Sequence, residues 1–214
     1  MKKIVVFLFC ISGTATAISA QSGYKPATEA QQKEMVEKIT GSSEQLKTLY
    51  CDFVQKKSIS ILADEMISEG RMSFKQKDKL RWEYTKPYQY EFVMNGDKIM
   101  INAETTKNVI EVGSNKLFRE ISKIIVSGIN GSGIFDPSKF TIKFRVGVKD
   151  NQVILVPKQK EIKQLFNEIH LCFDPSDYSV NSVEIEELNG DKTFIEMKNK
   201  QINKALSDEI FVIR

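Results

Sequence analysis

The chain has 214 residues, with 31 basic against 28 acidic side chains, one histidine and three cysteines. So small a charge imbalance gives no electrostatic reason to bind nucleic acid, and a lone His170 excludes a zinc site built on two or three imidazoles. There is no G-x-S-x-G elbow and no Walker loop, so the common enzyme templates fail and neither enzymatic activity nor a cofactor is expected.

In chain order, Lys2 and Lys3 precede an apolar run from Ile4 to Ile11, which gives way to small residues up to Ala20. A basic start, a short apolar stretch and a small-residue exit read as a secretory leader cut after Ala20. The run is too short to cross a hydrocarbon core, which takes about 20 apolar residues. Cys10 lies inside the run and leaves with it. The expected mature protein is a soluble single domain, residues 21–214, holding Cys51 and Cys172. An oxidising compartment allows a disulfide between them, and two buried thiols fit the pattern equally well.

Between Gln31 and Leu46 the residues Met35, Ile39, Ser42 and Leu46 recur at helical spacing, which predicts an amphipathic helix. From Leu49 the period becomes two. Leu49, Cys51 and Phe53 alternate with polar neighbours, as do Met72 and Phe74, Leu80, Trp82 and Tyr84, and Tyr90, Phe92 and Met94. Asn95-Gly96 is a strong hairpin signal, with Ile99 and Ile101 returning from it and Val109 to Val112 following. Beyond Phe140 the alternation resumes through a turn at Lys149–Gln152, the strand-like runs Val153–Val156, Leu165–Phe173, Val180–Leu188 and Thr193–Asn199, and a turn at Asn189-Gly190-Asp191. Short strands joined by tight turns describe an antiparallel meander. One segment breaks the period: Leu117, Phe118, Ile121, Ile124 and Ile125 form an apolar helical stripe, followed by glycines at 128, 131 and 133. His170 sits in a strand, and Glu184, Glu186 and Glu187 read as the wet face of the sheet.

An antiparallel sheet buries one face and wets the other. Here the buried face collects Met72, Phe74, Leu80, Trp82, Tyr84, Phe92 and Met94. Sheet and helices can close into an ordinary core, or close incompletely over a cavity for an apolar ligand; soft methionine and aromatic linings suit varied acyl cargo.

The stretch GRMSFKQKDKLRWEYTKPYQYEFVMNG, residues 70–96, resembles the periplasmic outer-membrane lipoprotein carriers (LolA-like proteins) in its strand-opening glycine, L-R-W strand, following proline and Asn-Gly hairpin. Phe53-Val-Gln55-Lys56 is similar to the family's first strand, and Asp208–Phe211 to its last. The resemblance implies a mainly β (α+β) fold, an unclosed antiparallel β-barrel (a half-barrel of about eleven strands) with helices covering an apolar concave face. The seven residues above would line an acyl cavity, and Leu117, Phe118, Ile121, Ile124 and Ile125 would form its lid. It also implies a monomeric periplasmic shuttle. Such a shuttle takes an acylated lipoprotein from an inner-membrane ABC transporter complex to an outer-membrane acceptor. The same fold admits a carrier of another lipid or glycolipid, or a lipid-sensing or scaffold domain. Two departures stand out: Lys77 occupies the family's turn proline, and Gln76 the place of an arginine that helps hold the lid, with Lys75, Lys77 and Lys79 as candidate replacements.

Overall fold

The computed structural model describes residues 23–62, 64–103, 106–111, 126, 127, 129 and 133–213. The leader, residues 1–20, and the stripe from Leu117 to Ile125 lie outside the described residues.

The strands are β1 (Lys25–Pro26), β2 (Thr48–Ser58), β3 (Glu65–Lys75), β4 (Lys79–Lys86), β5 (Tyr90–Asn95), β6 (Lys98–Ala103), β7 (Thr106–Glu111), β8 (Phe140–Val146), β9 (Asn151–Pro157), β10 (Phe166–Phe173), β11 (Val180–Glu187) and β12 (Lys192–Ile202). Helix α1 spans Glu29–Gln45 and the short α2 spans Lys160–Lys163. The twelve strands of the described residues form one sheet in the order β1-β8-β9-β10-β11-β12-β2-β3-β4-β5-β6-β7. Every neighbouring pair is antiparallel, from β1 on β8 to β6 on β7. The sheet does not close: β1 and β7 are its two edges.

Helix α1 starts where Thr28 and Gln31 form a capping box, the Gln31 N–H donating to Thr28 Oγ1 and the Thr28 N–H to Gln31 Oε1. It ends beyond Gly41-Ser42-Ser43, three weak helix formers. Met35, Ile39 and Ser43 are its buried residues. The sequence pattern put Ser42 on that face instead. A step of four from Ile39 keeps the stripe in line, and Ser42, turned aside, donates to the carbonyl of Asp177 at 2.9 Å.

Two turns differ in detail from the pattern. Asn95 pairs directly with Lys98, so Gly96-Asp97 are the central residues of the β5–β6 hairpin, and Gly96 takes φ +59°. Asp208–Phe211 is a 3₁₀ turn, not a closing strand. Ser207 caps it, and the segment lies against β4 and β5. The Arg81 guanidinium donates to the carbonyl of Ile210 at 3.2 Å and the Asn95 amide to that of Phe211 at 3.1 Å. Phe211 is fully buried there, and the directly opposed pair Val93 and Met100 are buried also. Phe211→Ala should cost about 3–5 kcal/mol, read as a lowered urea midpoint.

Lys75 and Lys79 converge on Asp208 Oδ1 at 2.9 and 2.8 Å. They alternate with Phe74 and Leu80 and so stand on the opposite, outer face. Their ammonium groups therefore brace the C-terminal segment and are not offered to a cover on the inner face. Hydrogen bonds from Lys79 and Lys75 hold the Asp208 carboxyl below its ordinary value. A depressed carboxylate stabilises above its unfolded pKa, and that contribution is lost as pH falls through the folded one. The brace should thus loosen below about pH 4, seen as faster amide exchange at residues 207–211. Asp208→Asn should reproduce that loosening at neutral pH.

Cys51 and Cys172 are both buried free thiols. Cys51 belongs to the inner-face cluster, whereas Cys172 alternates with the inner-facing Leu171 and Phe173 and meets Gln152 on the outer face. The sheet itself separates them. Burial pushes the Cys51 thiol up to about 12, so it should resist thiol reagents at pH 8 in the folded protein and react fully in denaturant.

Candidate functional site

The seven residues singled out from the sequence stand together. Met72 opposes Trp82 and Phe74 opposes Leu80 across β3 and β4. Leu80 opposes Met94 and Trp82 opposes Phe92 across β4 and β5. Side chains of directly paired residues point to one side, so all seven share the inner face, where they join one cluster with α1 residues Met35 and Ile39. That cluster continues through Leu49, Cys51 and Phe53 on β2, Ile195 and Met197 on β12, and Leu171 and Phe173 on β10.

Burial along this face is graded. At the end near the β3–β4 and β5–β6 turns, Phe74, Leu80, Met94 and Ile99 are buried, as are Leu46 and Leu49 beside them. Toward the β2–β3 and β4–β5 turns, Trp82, Tyr84, Phe92 and Ile101 are only partly buried, and on β11 so are Val183 and Ile185. The inner face is thus filled at one end and aromatic and partly open at the other. A cleft of about 210 Å³ lies at the filled end, lined by Ser43, Leu46, Leu49, Ile129, Phe173 and Tyr178 among others.

Phe53 organises the half-open end. Its ring centroid lies 4.6 Å from Trp82 and 5.1 Å from Tyr84, the second pair edge to face. It reaches them because Gly70, its partner on β3, has no side chain. A Cβ there would lie 2.1 Å from the carbonyl oxygen of Glu83 and 2.5 Å from Phe53 Cζ. Gly70, expected from the sequence to open a strand, lies in the middle of β3 instead; a glycine inside a β run marks a close approach, here that of the Phe53 ring and the Glu83 carbonyl.

Polar atoms are few here. The Tyr84 hydroxyl donates to Gln55 Oε1 at 2.8 Å. Burial is the main cause that pushes the Tyr84 phenol up to about 12, with the nearby Trp82 indole opposing it. The Trp82 Nε1–H is shielded from solvent; the acceptor beside it is the Tyr84 hydroxyl oxygen, outside the geometry of a full hydrogen bond. No cluster of three or more His, Cys, Asp or Glu side chains converges among the described residues. His170 lies on the outer face, its Nε2 3.0 Å from Glu168 Oε2. No helix among the described residues is long and apolar enough to cross a membrane.

Comparison with known proteins places this geometry in context. A family model described as "Outer membrane lipoprotein carrier protein LolA" matches residues 44–214. The outer-membrane lipoprotein carrier protein of Francisella tularensis subsp. tularensis is 25% identical over 214 residues, covering 99% of this chain and 92% of that one. Among solved structures, an uncharacterised conserved protein from Thermus thermophilus aligns with a TM-score of 0.54 at 7% identity, over 84% of this chain and 91% of that one. A chain of the Pseudomonas aeruginosa MucA/MucB complex aligns with a TM-score of 0.51 at 9% identity, over 85% of this chain and 60% of that one. At such identities the two structures speak for the fold alone.

Proposed function

The chain belongs to the outer membrane lipoprotein carrier family, and from that membership we propose that it shields the acyl chains of lipoproteins on its inner face and shuttles them across the periplasm. The observation that carries this reading is the graded burial, with a filled end beside α1 and a partly exposed aromatic end at Trp82, Tyr84, Phe92 and Ile101. Met72, Phe74, Leu80, Trp82, Tyr84, Phe92 and Met94 line the acyl site, and the apolar stripe Leu117, Phe118, Ile121, Ile124 and Ile125 supplies its cover. The protein is exported on the leader cut after Ala20, and residues 21–214 work as one domain. It is a carrier and not an enzyme, needs no cofactor, and exchanges cargo with an inner-membrane ABC transporter complex and an outer-membrane acceptor.

The energetics favour partial engulfment. Each methylene removed from water contributes about 0.8 kcal/mol, so complete burial of several acyl chains would hold cargo almost irreversibly. A face that is open only toward one end limits how much of each chain is covered. That limit keeps release within reach.

Native mass spectrometry of the mature protein from a periplasmic extract tests the reading, with lipid extraction of any bound species. An acylated lipoprotein at one per chain supports it. A free lipid or glycolipid at one per chain makes this a carrier of another cargo. An empty protein that also ignores a fluorescent fatty-acyl probe removes the carrier reading and leaves a sensing or scaffold role.

A further inference from the structure

The hairpin tips along one end of the sheet carry large apolar side chains into water. In the stretch β11-β12-β2-β3-β4-β5, three successive turns stand at the partly open end of the inner face. Each presents one such residue: Leu188, 59% exposed, after β11; Ile61, 88% exposed, after β2; and Tyr88, 58% exposed, after β4. The β2–β3 hairpin reaches furthest. Its strands pair out to Ser58 and Glu65, whereas β4 leaves β3 at the pairing of Lys86 with Glu69. At the opposite end the β3–β4 and β5–β6 turns are the polar Gln76-Lys77-Asp78 and Gly96-Asp97.

A single exposed aliphatic residue needs no explanation, but these are aligned and held in place. Ile59 is buried beneath the β2–β3 turn, and the Leu62 N–H closes that turn on its carbonyl at 2.8 Å. The Ser60 N–H donates to Asp191 Oδ1 at 2.9 Å and the Ser60 hydroxyl to the carbonyl of Asn189 at 3.0 Å. These bonds bolt the Ile61 tip to the Leu188 tip as one ridge. Leu188 in turn donates its N–H to the carbonyl of Leu165 at 3.4 Å, beside α2, where Lys160 and Lys163 are exposed, as is Lys56 on β2. The acids next to Leu188 are already committed, Glu187 to Lys57 at 2.8 Å and Asp191 to Ser60 and Asn189. We propose that this rim docks on the surface of an anionic phospholipid bilayer. Ile61 and Leu188 enter the interface, Tyr88 lies at headgroup level and the lysines meet lipid phosphates. Side chains that protrude one by one from convex turns suit a fluid that closes around them, whereas a protein partner must offer a socket to each. The rim also borders the open end of the inner face, so an acyl chain leaving there passes into lipid with little exposure to water. The docking surface stands on its own geometry; its use in delivering cargo rests on the carrier reading.

Sedimentation of the mature protein with vesicles of phosphatidylethanolamine and phosphatidylglycerol tests this, with uptake of a fluorescent fatty-acyl probe measured on the same samples. The wild type is expected to sediment with the vesicles, and less so as salt rises. Ile61→Ser should lower the partition coefficient about five- to tenfold and Leu188→Ser about threefold, with probe uptake unchanged. Val148→Ser is the control: Val148 is 96% exposed but lies on the β8–β9 turn at the other end of the sheet, so this variant should sediment like the wild type. A wild type that stays in the supernatant overturns the inference, and so does an Ile61→Ser variant that partitions no differently from Val148→Ser. Binding that appears only when outer-membrane proteins are reconstituted in the vesicles makes the ridge a protein contact and overturns it likewise. In each of these cases normal probe uptake leaves the carrier reading standing, and lost uptake removes that reading too.

Discussion

Gly70→Ala is expected to destabilise the protein by at least about 3 kcal/mol, the upper range for overpacking a closed core. The added Cβ would meet the carbonyl oxygen of Glu83 at 2.1 Å and the Phe53 ring at 2.5 Å. A side chain could swing aside, but a backbone oxygen in a sheet cannot move without distorting the β3–β4 pairing, already irregular between Glu69 and Gly70. For a chain of this size the melting temperature should fall by about 6–12 °C. Gly41→Ala is the internal control. It lies in α1 with nothing within 4 Å of an added Cβ, so the same substitution there should stabilise by about 0.5–1 kcal/mol. Thermal unfolding followed by circular dichroism checks both, and equal effects would refute the packing argument.

The second large effect concerns binding. Phe92→Glu at the partly open end should leave the empty protein folded, since its carboxylate can reach water there, but acyl uptake should collapse. A bound chain would cover that carboxylate, which must then lose its solvation or take up a proton. Protonating a glutamate with an ordinary value near 4.3 at pH 7.3 costs about 4 kcal/mol. Affinity for a fluorescent fatty-acyl probe should therefore fall about 10²- to 10³-fold at pH 7.3. The sign of the pH dependence follows: as pH drops toward 5 the glutamate neutralises more readily and most of the loss returns. Wild-type affinity retained by the variant at neutral pH would show that acyl chains bind elsewhere.

The sheet was legible because its strands alternate cleanly. Leu80, Trp82 and Tyr84 read as one face from the sequence, and the pairing of β3, β4 and β5 puts them with Met72, Phe74, Phe92 and Met94. What escaped was set by contacts far apart in sequence. Phe211 looks strand-like among Ile210 and Val212, but β12 had already taken its place beside β2, leaving the last residues to bond the outer face through Arg81 and Asn95. Lys75 and Lys79 read as free replacements for a missing arginine until Asp208 met them from more than a hundred residues away. The graded burial of the inner face was equally invisible. Period two assigns a side, whereas coverage depends on where α1 lies across it.

The position of β2 between β12 and β3 has its own consequence for how the molecule is made. As the chain emerges, β2 through β7 can zip up by successive hairpins, each closing a short loop. One flank of β2, eleven residues long and carrying Leu49, Cys51 and Phe53, then waits with bare backbone donors and acceptors until β12 arrives about 140 residues later. Closing that distance is a slow, non-local event, and an exposed apolar strand edge invites intermolecular pairing meanwhile. Refolding yield should accordingly depend steeply on concentration, and nascent chains truncated before β12 should aggregate through β2.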